Sequence, residues 1–448
     1  MGKLFGTDGI RGVANEGLDA QLAFRVGQAA ASVLAAEKSA RPVFTIGKDT
    51  RISSDMLEAA LTAGLCSAGA DVIPLGVIPT PGVAYITVQA GADAGIVISA
   101  SHNPFRYNGI KIFNGSGFKL SDKLEDEIED MILNDRPVKK ATGADIGRVL
   151  GGKDKYVSAY IERLASAAGN ISGLRVAVDC SNGASSVTAE RLFSRFDIDL
   201  KLIHNEPDGV NINTDCGSTN MKILSRTVRE GRYDIGIAFD GDADRCLVVD
   251  ENGNELDGDH IMAICGSAMQ REGRLKNNCI VATVMSNIGF RLYAEKHGME
   301  LRCAPVGDRN VLEMMQQIGA NLGGEQSGHL IFLDDSTTGD GQLAAVKILT
   351  LLAGEKKPLS VLASEFVQYP QELINVPVRD EAEKKRIMAG ERLKAEVEKA
   401  EAELGDNGRV LIRPSGTEAL IRVMVEAFDA NKARETAQRL ADVITAET

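Results

Sequence analysis

Three times the chain runs an apolar, β-branched stretch into a polar glycine loop and then into a helical pattern. Residues 43–46 lead to Gly47-Lys48-Asp49-Thr50-Arg51 and a helix over about 53–68. Residues 174–178 lead to Asp179-Cys180-Ser181-Asn182-Gly183 and a helix, and residues 280–284 lead to Met285-Ser286-Asn287-Ile288-Gly289 and another. Such apolar runs suit strands buried on both faces, and strand, loop and helix form the unit from which parallel sheets are built. With 448 residues the chain is long enough for about three domains, each burying its own core. The repeat therefore predicts an α/β protein: three similar domains with mixed, mainly parallel sheets.

Shifts in composition set the limits. Residues 134–155, with Pro137 and several glycines among charges, read as a link, 250–253 as a closing turn, and a third break falls near Pro370. The expected domains are 1–150, 151–251, 252–368 and 369–448. The last differs in kind. A strand at 373–376, a charge-dense helix over 380–404, strands at 409–412 and 419–427 and a final helix predict a small α+β layer.

The net charge of −13 argues against nucleic acid or an anionic membrane as partner. Seven scattered cysteines, none in a C-x-x-C pair, and five scattered histidines give no zinc pattern and point to reduced, cytoplasmic thiols. The first residues show no signal or myristoylation pattern, and no apolar run is long enough to span a bilayer.

The chain is organised around 94–111, AGIVISASHNPFRYNGIK. Its apolar half is a buried strand, and Asn103-Pro104 and Asn108-Gly109 are turn formers. Ser101 and His102 thus sit where a strand leaves its sheet, the place where open α/β sheets bind ligands. A serine there either caps a turn or offers a nucleophile.

The strongest chemical signal is YDIGIAFDGDADRCLVVD, residues 233–250. Asp240, Asp242 and Asp244 alternate, so their carboxylates can project to one side, where a hard divalent cation would offset their repulsion. Three oxygens with open positions suit Mg²⁺ holding a substrate phosphate. An EF-hand fails because Arg245 takes the sixth place, where glycine is needed, and the flanks are strands. A solvated acidic turn is the plainer alternative. Arg245 either clamps a phosphoryl oxygen or neutralises the aspartates.

Near the C-terminus Arg413-Pro414-Ser415-Gly416-Thr417-Glu418, with Arg422, sets two guanidiniums and two hydroxyls around one strand-to-strand loop. That set can ring a phosphate, whereas a plain hairpin leaves the arginines unexplained. Glu325, Ser327 and His329 alternate within GGEQSGH and can face one cleft, there to bond sugar hydroxyls, or they are polar residues of an exposed loop. Thr7 and Arg11, within FGTDGIRG, face an anion or belong to a glycine turn. The loops 306–309, which includes Arg309, and 337–341 have no role that the sequence alone reveals. A reaction site plus a separate phosphate holder is what an enzyme needs if it moves phosphate between two ends of one sugar.

In order, FGTDGIRG, ASHNP with NGIK, DGDADR, GGEQSGH and RPSGTE make the whole chain resemble the α-D-phosphohexomutases. PDGVNINTDCGST (207–219), VMSNIG and PVGDRN most resemble the bacterial glucosamine-phosphate branch. The resemblance implies three α/β domains and a C-terminal α+β domain around a central cleft. It implies Ser101 as a phosphoserine, with Mg²⁺ on its phosphate and on Asp240, Asp242 and Asp244. It implies interconversion of glucosamine 6-phosphate and glucosamine 1-phosphate through glucosamine 1,6-bisphosphate, supplying amino-sugar precursors of the cell wall. Lys111 and Arg245 match positions that stabilise the transferring group, His102 adjoins the nucleophile, and Lys111 and His329 are the candidate acid and base. Thr7, Arg11, Arg309, Glu325, Ser327, Arg413, Ser415, Gly416, Thr417 and Arg422 are the implied substrate contacts. The partner is a small hexosamine phosphate, and a homodimer is compatible with the resemblance. Two other classes stay open, a phosphoglucomutase or phosphomannomutase and a non-catalytic sugar-phosphate-binding protein. The chain departs from the family at Ala243, where glycine is common, at Phe105-Arg106-Tyr107, and at Ala419, which replaces a usual proline.

Overall fold

The computed structural model describes residues 4–6, 8–35, 41–415 and 419–448. They form two compact units, Met1–Met285 with Met299–Ser364, and Ser286–Gly298 with Glu365–Thr448.

The first unit holds three mixed sheets built to one plan. In the first, Val43–Lys48 is flanked by Asp71–Val77 and Ala94–Ile98, all parallel, and Tyr107–Asn114 then runs antiparallel to Ala94–Ile98. In the second, Ser172–Asp179 lies between parallel Asp197–Ile203 and Ile235–Phe239, and Cys246–Asp250 runs back along Ile235–Phe239. In the third, Cys279–Thr283 lies between parallel Glu300–Ala304 and Leu322–Gly324, and Leu330–Phe332 turns back. Parallel neighbours need a long crossover, whereas a short connection forces the chain back antiparallel. The expected parallel character therefore holds for three strands of each sheet, and a hairpin then adds an antiparallel strand; in the first sheet Gly9–Val13 and Phe5–Gly6 extend it further.

Those hairpins fix the chemistry. Residues 99–106, 240–245 and 325–329 are the three connections, and they occupy equivalent places in the three sheets. In the first sheet Phe44, Ile46, Ile96 and Ile98 are fully buried beneath helices Ala20–Ala35 and Ser54–Ser67. Gly27 and Gly64 let these helices touch: a Cβ on Gly64 would lie 2.1 Å from the Phe24 carbonyl oxygen.

The second unit has an antiparallel sheet in the order Gln371–Pro377, Leu420–Ala427, Gly408–Pro414, packed on helix Ala430–Thr445 through Ile421, Val423, Ala437, Leu440 and Ile444. The single helix expected over 380–404 is two, Glu381–Met388 and Glu391–Leu404, broken at Ala389-Gly390. Glycine weakens helix interiors, and here it caps the second helix. The helix expected after Gly183 is reduced to a 3₁₀ turn and the five-residue Ala189–Phe193. No described helix is long and apolar enough to cross a membrane.

Candidate active site

Ser101 has φ +52°, a left-handed conformation unusual for serine, and it is buried at the end of strand Ala94–Ile98. Its N–H donates to Ser99 Oγ at 2.9 Å. Its Oγ donates to Asp240 Oδ2 at 2.5 Å and lies 3.3 Å from His102 Nδ1. Burial, with the charges of Arg245 and Arg11, pushes the His102 imidazole down to about 4, so it is neutral at physiological pH.

The three aspartates of the second hairpin converge, each offering an oxygen within 4.8 Å of the others. Burial and repulsion from Asp244 and Asp242 raise the Asp240 carboxyl well above the carboxylate range. Burial acts the same way on Asp244, but Lys111, His329 and Arg245 outweigh it and hold that group ionised. Asp242 Oδ2 accepts from Thr80 Oγ1 at 2.7 Å and from Lys111 Nζ at 3.1 Å. The tight turn needs Ala243 at φ +54°, in the left-handed region.

Around this triad runs a closed circuit of facing charged and polar side chains. Lys111 Nζ lies 3.0 Å from Asp8 Oδ2 and 3.7 Å from Asp244 Oδ2. Lys119 Nζ joins Asp8 Oδ1 at 2.6 Å to Asp308 Oδ2 at 2.5 Å. His329 completes the circuit, with Nε2 3.7 Å from Asp308 and Nδ1 3.6 Å from Asp244. Burial disfavours charge on Lys111, but Asp242, Asp8 and Asp244 prevail and hold it as the ammonium. Burial likewise opposes charge on His329, and the carboxylates of Asp244, Asp308 and Glu325 lift it to about 9. Gly339 N–H donates to His329 Nε2 at 3.1 Å, however, which requires a lone pair there. A directional bond fixes a tautomer more firmly than summed charge, so the ring proton is assigned to Nδ1, facing Asp244.

Ser101, His102, Arg245, Glu325 and His329 all line one cavity of about 430 Å³. Arg11 also lines it, paired with Asp8. Arg309 reaches it too, but its guanidinium is committed to Asp122, to Glu125 at 3.0 Å and to the Leu120 carbonyl. Glu325 Oε1 accepts from Gly307 N–H, while Ser327 is exposed and outside the cavity lining. In the second unit Arg413 and Arg422 stand directly opposite in the sheet register. Burial and that facing charge lower the Arg413 pKa. The buried Lys384 donates to the Ser415 carbonyl at 2.7 Å. Thr7, Gly416 and Thr417 lie outside the described residues.

Four family models match the chain in turn, the phosphoglucomutase/phosphomannomutase alpha/beta/alpha domains I (2–139), II (154–253) and III (257–369) and the C-terminal domain (373–443). The chain is 52% identical to a curated phosphoglucosamine mutase of Caldanaerobacter subterraneus subsp. tengcongensis over 447 residues, covering 99% of each. It is 49% identical to that of Bacillus subtilis over 453 residues, covering 100% of this chain and 99% of the relative. The chain belongs to the phosphoglucosamine mutase family. As a phosphoglucosamine mutase family member it is an isomerase within the α-D-phosphohexomutase superfamily. Its fold matches a phosphoglucomutase/phosphomannomutase family protein from Burkholderia thailandensis, with a TM-score of 0.83 at 23% identity over 99% and 98% of the two chains. An Aspergillus fumigatus N-acetylphosphoglucosamine mutase shares the fold at TM-score 0.69 and 17% identity, over 100% and 96%.

The metal expected for a phosphoglucosamine mutase fits the residues present. Asp242 Oδ1 and Asp244 Oδ1 are buried without a hydrogen-bond partner among the described residues, hard oxygens such as a divalent cation takes. A second cluster, Asp179, His204 and Cys216, is of similar span. There Asp179 already accepts from Ser181 N, Gly217 N and His204 Nδ1, and burial pushes the Cys216 thiol up to about 12, so it acts as a structural hub. Sequence reading missed Asp8, Lys119 and Asp308. Asp8 and Asp308 sit inside quoted motifs, but nothing in their spacing says that Lys119 joins them.

Proposed function

We propose that the chain interconverts glucosamine 6-phosphate and glucosamine 1-phosphate, with Ser101 as the phosphoryl carrier. The observation that carries the reading is the Ser101 hydroxyl on Asp240, in one cavity with Arg245, Glu325 and His329. The C1 oxygen of glucosamine 6-phosphate attacks phosphorus on phospho-Ser101. The new P–O bond forms as the P–Oγ bond breaks, the C1 hydroxyl gives up its proton, and glucosamine 1,6-bisphosphate results. After the bisphosphate turns, Ser101 Oγ attacks its 6-phosphorus, O6 takes up a proton, and glucosamine 1-phosphate leaves.

Lys111, held as the ammonium, can give a proton, and the neutral His102 has a lone pair to receive one. His329 is the other candidate carrier, and Arg245 steadies the transferring group. Asp240, Asp242 and Asp244 with the Ser101 phosphate would hold Mg²⁺, which neutralises charge on that group. Arg413, Ser415, Gly416, Thr417 and Arg422 would bind the phosphate that is not reacting, and Thr7, Arg11, Arg309, Glu325 and Ser327 would contact the sugar phosphate.

Turnover of glucosamine, glucose and mannose 6-phosphates, with Mg²⁺ and the matching 1,6-bisphosphate added, tests the reading. Glucosamine 6-phosphate should be fastest; faster glucose or mannose phosphate makes the chain a phosphoglucomutase or phosphomannomutase. Asp242→Ala should no longer respond to added Mg²⁺. Binding without turnover, and without phosphate on Ser101, would leave only a sugar-phosphate-binding protein.

A further inference from the structure

Two quoted stretches have no part in the chemistry above, Gly47-Lys48-Asp49-Thr50-Arg51 and the 207–219 loop. Both end on the backbone of Ser101. Arg51 is fully buried and spends all five guanidinium donors. Nε bonds Asp49 Oδ2 at 2.7 Å, Nη1 bonds the carbonyls of Pro104 and Tyr107 at 2.6 and 3.0 Å, and Nη2 bonds those of Ser101 and Asn103, each at 2.8 Å. Asn213 Nδ2, from the second sheet's side, reaches the same two carbonyls at 2.9 and 3.1 Å. Asp49 Oδ2 also accepts from Ser99 Oγ at 2.7 Å, and Ser99 Oγ accepts the Ser101 N–H. Both peptide groups of the serine are thereby tied to one network.

We propose that Arg51 and Asn213 are positioning residues that hold Ser101 in its left-handed conformation and so aim its oxygen for phosphoryl transfer. The serine's φ of +52° is unfavourable for a residue with a Cβ and persists only where the surroundings over-determine it. Two donors on one carbonyl supply that. The clamp also spans sheets: Asn213, itself at φ +59°, is held by Ser181 Oγ on its Oδ1 at 2.7 Å, and a Cβ on Gly241 would come within 2.6 Å of the Ser101 carbonyl and 2.8 Å of Asn213 Nδ2. The aspartate loop and the serine loop therefore share one support.

The inference rests on Ser101 carrying the phosphoryl group. Asn213→Asp keeps the size, the left-handed tolerance and the Ser181 bond but loses the donors; Asn213→Gly keeps the backbone and removes the side chain without adding charge. Each should lower kcat for glucosamine 6-phosphate roughly 10- to 100-fold, with KM within about threefold and a melting temperature near that of wild type. Arg51→Lys, with three donors for five, should behave alike if it folds. Both Asn213 variants turning over within about threefold of wild type, or losing rate only through KM or in step with lost stability, overturns the clamp. A wild type that never carries phosphate on Ser101 overturns the functional reading and the clamp together. A phosphorylated wild type with unimpaired Asn213 variants overturns the clamp alone.

Discussion

The Ser101 hydroxyl donates to Asp240 Oδ2 across 2.5 Å although the residues are 139 positions apart. Each sits on the hairpin that follows the parallel strands of a different sheet, so a contact of chemical precision arises from two turns of the same kind. Intact-mass analysis should find one phosphoryl group on the wild type and none on Ser101→Ala, whose turnover should fall at least about 10³-fold. Phosphate persisting on the variant would assign the acceptor to another residue.

Ala243 carries a positive φ, at a cost of about 1 kcal/mol or more for an L-residue. Ala243→Gly should raise stability by up to about 1 kcal/mol after glycine's own entropy cost is subtracted. Urea unfolding measures this. A clear fall in stability would mean that packing of the buried methyl outweighs the backbone strain.

Lys119 separates Asp8 from Asp308. Lys119→Met leaves those carboxylates facing each other. Because all three side chains keep some solvent contact, the loss should be about 2 kcal/mol, below the 3–5 of a fully buried pair. Adding Asp308→Asn should recover part of it, and full additivity of the two changes would argue against coupling.

Asp340 caps helix Gly341–Glu355, accepting from Leu343 N, and receives the buried Tyr160 hydroxyl at 3.1 and 3.0 Å on its two oxygens. Burial pushes its carboxyl up to about 6, against the opposing pull of those hydrogen bonds. The folded state therefore binds this proton more tightly than the unfolded chain. Its contribution is complete below the ordinary value of 3.8 and is lost as pH rises through about 6. Asp340→Asn does not ionise, so its stability relative to wild type should improve between about pH 4 and pH 7 by on the order of 3 kcal/mol. Parallel denaturation series that stay a constant distance apart would refute this.

Arg413 and Arg422 face each other with like charge, an arrangement that favours an anion. Arg413→Met should raise KM for the sugar phosphate roughly 10- to 100-fold while leaving the free protein as stable as before or slightly more so. Inorganic phosphate should protect the wild type against heat more than the variant; equal protection would place the anion elsewhere.

Much of this was readable in the residues. Continuous apolar runs marked the central strands, and alternation of Asp240, Asp242 and Asp244 marked their convergence, because both depend on local periodicity. The repeat lies at the loop after the middle strand of each parallel trio, whereas the chemistry sits on the hairpin that follows the trio's last strand. Those hairpins share no residue pattern, and only their topology makes them equivalent. Lys119 was missed for a similar reason: its value lies in two carboxylates, one 111 and one 189 positions away. The helix over 380–404 was overextended because strong helix formers on both sides hid the break at Gly390.

The C-terminal sheet is not a detachable module. The carboxylate of Glu426, wholly out of solvent, takes hydrogen bonds from Asn287 Nδ2 and Ile288 N as well as an ion pair from Arg409. Phe290 stacks edge-on against Phe366. A fragment cut at residue 365 would leave helix Ile288–Lys296 behind, stripping that carboxylate of the Asn287 and Ile288 donors and baring an aromatic surface. Any attempt to graft or express this region alone has to bring the earlier helix with it.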